Sequence, residues 1–235
     1  MSLVLKNSGN QDRIITYSLF YFVFTVVALF IDGTYFSNHY FNGQWIVNCM
    51  AVIYFGLMYV SADGYLKKLM LVMVGLSYIG ELIFCKLFGM YEYKDVHIPL
   101  YVPLGHSIVY ATGYSLSKSN FVQNKAAFLM KWLNLFYAVL FLMVAIFIDD
   151  YFSLISGVLF FLLLKRKKWQ LTYSCIAFCV IYIELVGTYF GCWRWSSKIF
   201  GVIPTVNPPI GAVFYYAGGD VLLAKIVDKY WSKTS

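Results

Sequence analysis

What most constrains this chain is a succession of long stretches without a formal charge. Residues 14–31, 45–62, 132–148, 151–164 and 202–219 carry none, and 69–85 and 171–190 carry a single glutamate each. A membrane span needs about 20 mainly apolar residues, and ionisable groups inside one are costly. The blocks therefore read as bilayer-crossing helices. A more polar block, 98–117, completes a set of eight. Composition agrees, because only 12% of the residues are charged whereas soluble domains carry roughly 25%. The 21 Tyr and six Trp suit the headgroup level, where amphipathic rings collect. The first apolar block is longer than a signal-peptide core and has no small-residue cleavage site after it, so it is expected to be retained.

The expected fold class is all-α: a polytopic membrane protein of eight transmembrane helices, near 14–31, 45–62, 69–88, 98–117, 130–148, 151–164, 171–190 and 207–225. The basic residues orient it. Lys6, Arg13, Lys67, Lys68, Lys118, Lys125, Lys131, Lys165, Arg166, Lys167, Lys168, Lys225, Lys229 and Lys233 fall on one side of such an array, 14 of the 18 basic residues. Lys86, Lys94, Arg194 and Lys198 fall on the other. The positive-inside rule makes the richer side cytoplasmic, with both termini on it. The net charge of +7 is thereby explained by topology, and no nucleic acid partner is expected. The five cysteines lie in or beside apolar blocks and read as unpaired packing residues, with Cys175 and Cys179 lacking a second pair for zinc.

Landmarks recur in the same order in the two halves. Phe30-Ile31-Asp32-Gly33-Thr34-Tyr35-Phe36 returns, one residue shorter, as Phe147-Ile148-Asp149-Asp150-Tyr151-Phe152. Glu81 precedes Gly89 and the spaced aromatics Tyr91 and Tyr93; Glu184 precedes Gly191, Trp193 and Trp195. Pro99, Pro103 and Gly105 are echoed by Pro204, Pro208 and Gly211, and Tyr110 is matched with Tyr215. These read as two four-helix repeats, 1–120 and 121–235. With an even number of spans per unit both copies insert the same way, so the repeat is parallel, unlike the inverted repeats of many transporters.

The repeated acids lie toward the outer ends of their spans. Ionisable groups there normally face the bundle interior or a cavity, so Glu81, Glu184, Asp32 and Asp149 are candidate acid–base groups. His97 and His106 belong only to the first half, and a histidine exchanges protons near neutrality. Tyr91, Tyr93, Trp193, Trp195, Asn207 and Tyr215 are candidate substrate-binding residues; the rings line a pocket for a long apolar ligand or anchor the interface. Asn207 is expected to cap a last helix opening near Pro208 or Pro209. Asp220 either pairs with a buried donor or sits near the cytoplasmic edge. A metal centre at Glu81, His97 and His106 is chemically conceivable, but no compact metal motif is present and no cofactor is expected.

The run Glu184-Leu185-Val186-Gly187-Thr188-Tyr189-Phe190-Gly191, with Trp193, Trp195 and the proline segment after it, resembles membrane carotenoid-biosynthesis proteins of the hydratase type. The first half carries a looser version from Glu81 to Gly89, without Gly-Thr. The resemblance implies protonation and hydration of an isoprenoid double bond inside the membrane, with Glu184 or Glu81 as acid and His106 or a neighbouring carboxylate orienting water. The expected function is thus that of an integral membrane enzyme, a hydratase or other lipid-modifying type, working by acid–base chemistry on an apolar lipid or isoprenoid. A proton-coupled small-solute transporter or channel is the alternative, and an accessory binding protein a third. The expected location is the cell membrane, with membrane lipids as partners.

Overall fold

The computed structural model describes the backbone of residues 2–165 and 169–231, and side chains within residues 9–230. Arg166, Lys167, Lys168 and Lys233, which entered the charge argument, lie outside the described residues, as does the side chain of Lys6.

The chain is all-α apart from short strands. In order it forms α1 (Ser2–Asp32), α2 (Thr34–His39), α3 (Gln44–Ser61), α4 (Gly64–Glu81) continued by a π-helical turn (Leu82–Leu87), and β1 (Tyr91–Tyr93). Then come α5 (Tyr101–Lys118), α6 (Asn120–Asn124), α7 (Ala126–Ile148), α8 (Tyr151–Leu164) and α9 (Gln170–Tyr189). After β2 (Trp193–Trp195), β3 (Lys198–Ile199) and β4 (Ile203–Pro204), α10 (Ala212–Trp231) closes the described chain. Among the described residues five helical stretches are long and apolar enough to cross a bilayer: Gly9–Asp32, Gln44–Ser61, Gly64–Leu87, Ala126–Ile148 and Gln170–Tyr189. The chain is a multi-pass membrane protein. Helix α8 is apolar but shorter. Helices α5 and α10 carry the polar residues that the cavity described below requires.

Exposure follows from the solvent. Val52, Ile53 and Val60 on α3, and Leu142, Ile146 and Phe147 on α7, point outward, as expected where the surroundings are lipid tails. Small residues bring the helices together inside. A Cβ on Gly113 of α5 would stand 2.5–2.7 Å from the Cα, N and side chain of Ile176 on α9, so this crossing exists only because position 113 has no side chain. Helix α5 packs on α1, α3, α4 and α9, whereas α10 packs on α4, α8 and α9. The pairings α5–α9 and α10–α4 join helices from the two halves of the chain.

Helix ends carry local signals. Asp63 Oδ1 accepts from Leu66 N (2.8 Å) to open α4, and Asp150 Oδ1 accepts from Ser153 N (3.0 Å) to open α8. Asp149 ends α7 in the left-handed region (φ 54°), which aspartate tolerates better than most residues. Pro103 sits in the first turn of α5, where its missing N–H costs nothing. The expected cap of the last helix is corrected: α10 starts at Ala212, and Asn207 caps no helix. Its Oδ1 instead accepts from Trp195 N (3.0 Å), and the Asn207–Pro208 peptide is cis.

Two ends of the bundle are defined by side-chain contacts. At one, Tyr65 Oη donates to Asp228 Oδ1 (2.8 Å), and Ser117 bonds Thr172 (3.0 Å). At the other lie Asp32, the β1–β2 pair and both glutamates, here called the glutamate end. The two strands are antiparallel, with Tyr91 opposite Trp195, Glu92 opposite Arg194 and Tyr93 opposite Trp193.

Candidate functional site

Glu81 is the last residue of α4 and is 3% exposed. Its Oε2 accepts from Tyr91 Oη (2.9 Å) and Tyr93 Oη (2.8 Å), while its Oε1 lies 3.0 Å from His106 Nε2 on α5. Burial first, and the Glu81 carboxylate second, push both strand tyrosines well above the usual tyrosine range, so they remain protonated donors. Glu184 on α9 is held the same way. Its Oε2 accepts from Trp193 Nε1 (2.9 Å) and Trp195 Nε1 (3.0 Å), and its Oε1 from Tyr216 Oη on α10 (3.3 Å). Each acid thus takes two ring donors from alternate residues of the strand after it, which lie on one face of that strand. A third partner comes from the next helix.

The spacing differs by one: Tyr91 is ten positions after Glu81, and Trp193 nine after Glu184. The π turn at Leu82–Leu87 takes up the additional residue. Gly187 makes the second arrangement feasible, since a Cβ there would stand 2.0 Å from the ring of Trp193.

The two acids are joined in space by ring contacts. His106 lies against Tyr216, centroids 4.8 Å apart and planes 16° from parallel, and Tyr91 meets Trp195 at 4.6 Å. Together they line one cavity of about 460 Å³, within the size range of small-molecule sites. Apolar groups of α1, α3, α4, α5 and α10 make up most of its wall, among them Phe24, Ala51, Met73 and Val109. Ile79, Ile83 and Leu222, from α4, the π turn after it and α10, are exposed residues of its lining. At Gly105, Gly218 and Gly219 an added Cβ would meet nothing within 4 Å.

The structure sorts the expected residues. Glu81, Glu184, His106, Tyr91, Tyr93, Trp193, Trp195 and Tyr215 line this cavity. Asp32 is buried behind it: Oδ2 accepts from Tyr101 Oη (2.7 Å), a lining residue, and Oδ1 pairs with Lys94 (3.4 Å). His97 does not line the cavity: it is exposed on the loop before α5, and its Nδ1 lies 3.1 Å from Asp95 O. Asp149 does not line it either: it is exposed, and its neighbour Asp150 is the buried acid, accepting from Ser153 and from Thr205 Oγ1 (2.8 Å). Asn207 lies outside the cavity and secures β2. The sequence comparison missed Tyr216 by matching Tyr110 with Tyr215. His106 and Tyr216 hold equivalent places at their glutamates, and the N–H groups of Tyr101 and Gly211 are both bonded by side chains, Asn48 and Ser153. Both pairs stand 110 positions apart. Among the described residues no three His, Cys, Asp or Glu side chains gather as a metal-holding group.

Fold and cavity together define a class: a multi-pass α-helical membrane protein with buried carboxylates hydrogen-bonded around an apolar chamber. Comparison of the chain with family models, curated proteins and solved structures finds no match.

Proposed function

We propose that this chain is a membrane enzyme that carries out acid–base chemistry on the double bond of an apolar isoprenoid lipid admitted sideways from the bilayer. The observation that carries the reading is the pair of buried carboxylates, Glu81 and Glu184, facing one apolar cavity with His106 3.0 Å from the first. Their partners divide the roles. Indole N–H groups only donate, so Glu184 Oε2 is held as an acceptor by Trp193 and Trp195. Tyrosine hydroxyls and imidazole both donate and accept, so the partners of Glu81 tolerate its carboxyl with or without a proton. Glu81 with His106 is the proton-exchanging pair, and Glu184 the acid whose Oε2 the two indoles hold in place.

In the step proposed, the Glu81–His106 pair delivers a proton to one carbon of the double bond. The π electrons form the new C–H bond, leaving a cation on the other carbon. The faces of Tyr91, Trp195 and Tyr216, with the Glu184 carboxylate, stabilise that charge. Attack by a water oxygen, with loss of a proton back to the Glu81–His106 pair, completes a hydration, the reaction that the resemblance to carotenoid hydratases implies. A carrier would instead need a polar route to the far end; beyond Asp220 the same face of α10 presents the buried Leu223 and Val227.

The same reading takes the chain as eight spans in two parallel repeats with both termini cytoplasmic. Support comes from the β1–β2 register, which exchanges Tyr91 with Trp193 and Tyr93 with Trp195 as a two-fold axis would, and from the reciprocal packing of α5 on α9 and α10 on α4.

The test is mass spectrometry of lipids retained on gently purified protein, comparing wild type with Glu81→Gln and Glu184→Gln. An isoprenoid is expected on the wild type. Cells expressing either variant should accumulate the compound lacking one water, with conversion reduced about 10²-fold or more. Absence of any retained isoprenoid, together with proton-coupled solute flux in vesicles, would sink the reading.

A further inference from the structure

One carboxylate has no place in the chemistry above. Asp220 is 1% exposed, lines the cavity, and its Oδ2 has no hydrogen-bond partner. It follows Tyr216 by one turn of α10, so it stands ~6 Å farther along the helix axis from Glu184's partner. The lining it shares includes the apolar Met73 from α4 and Val109 from α5. The hydroxyls of Thr112, Ser115 and Ser174 are also buried without partners, but none of them lines the cavity, and a hydroxyl is far cheaper to bury than a carboxyl group. Tyr110, 110 positions before Asp220, stands at the matching place on α5, and its hydroxyl is buried and unpartnered as well.

A buried carboxyl group lining an apolar chamber is a hydrogen-bonding group awaiting a partner, and a hydroxyl can serve it as donor or acceptor. The neighbouring backbone leaves room for one, because Gly218 and Gly219 present open space where other residues would place a side chain. From the geometry we infer that Asp220 is a second binding subsite, which takes the hydroxyl group of an apolar ligand whose double bond lies between Glu81 and Glu184. The inference rests on the lipid-cavity reading above and narrows it: the ligand is an alcohol, not a plain hydrocarbon.

Paired probes test this on the full chain in lipid nanodiscs, using radiolabelled farnesol and farnesene, which differ in the hydroxyl but share the apolar body. Wild type is expected to bind the alcohol roughly tenfold more tightly. Asp220→Leu should abolish that preference while binding farnesene at least as well as wild type, and Asp220→Asn, which keeps an acceptor in the same shape, should retain part of it. Equal binding of the two probes by wild type overturns the subsite and leaves the cavity reading intact, so the inference does not depend on Asp220→Leu folding. Failure of wild type to bind either probe removes the cavity reading itself. An alcohol preference that survives in Asp220→Leu, with proton flux across liposomes lost in Asp220→Asn, overturns the subsite and assigns Asp220 to a proton path.

Discussion

Glu184 depends on a glycine it does not touch. Trp193 reaches the carboxylate because Gly187, three residues after Glu184 on α9, leaves space for the indole. Gly187→Ala places a methyl carbon inside that ring and should displace Trp193, shifting intrinsic tryptophan fluorescence and costing about 1–3 kcal/mol in a detergent melt. Trp193→Phe removes one hydrogen bond to a buried acid and should cost about 1.5–3 kcal/mol. Because both changes break the same contact, the double variant should lose clearly less than the sum; strict additivity would mean that Gly187 acts elsewhere. At this scale the sequence was informative wherever spacing was the signal. Glu81, Glu184 and their paired aromatics were legible as a repeated interval, and the intervals correspond to hydrogen bonds. Asp150 was not, because adjacent aspartates look alike to a sequence comparison. Its mark was local: an acid three residues before Ser153 at the head of an apolar run, the pattern of a helix cap. Tyr216 was passed over for Tyr215 because the choice between neighbours depends on helical phase, which the prolines before α10 obscure.

Between elements, glycines serve two opposite purposes. Gly113 lies where α5 crosses α9, and any side chain there meets the backbone of Ile176. Gly105 and Gly218 face empty space on the cavity wall. Gly113→Ala should therefore destabilise the protein by about 1–3 kcal/mol, read as a lower melting temperature in detergent. Gly218→Leu should melt close to wild type and yet reduce lipid retention several-fold, because its side chain occupies the chamber. Reversal of the two phenotypes would show that the chamber, not the crossing, is the fragile part. Composition alone does not separate the two kinds of glycine, since what differs is the neighbour supplied by a distant helix. The blocks of uncharged residues located the helices to within a few positions at most ends. They did not indicate the π turn after Glu81, which is a consequence of fitting one extra residue between a fixed acid and a fixed strand.

For the whole molecule, the charge pattern and the packing address the same question independently. Tyr65 on α4 meets Asp228 on α10, and Ser117 on α5 meets Thr172 on α9, so the basic connections lie at one end of the bundle while Lys94, Arg194 and the strand pair lie at the other. On the proposed reading, the positive-inside rule puts the first end on the cytoplasmic side. Five long spans make an odd number, so an even total needs one or all three of α5, α8 and α10 to cross; the eight-span reading takes all three, although α8 is short and α5 and α10 are polar on the cavity side. Those three are the helices that hydropathy alone does not secure, and burial explains why: a helix facing a chamber and other helices need not be apolar all round. Introduced cysteines decide the matter. Asn124→Cys, at the exposed last residue of α6, should react with a membrane-impermeant maleimide only from the cytoplasmic face. Ser197→Cys, exposed beyond β2, should react only from the opposite face, each measured in sealed vesicles of known orientation against the unmodified chain. These sites are separated by α7, α8 and α9, an odd number of crossings. If both were labelled from one face, α8 would have to be a re-entrant or interfacial segment, and α10 could no longer be assigned its direction from the parity of the chain.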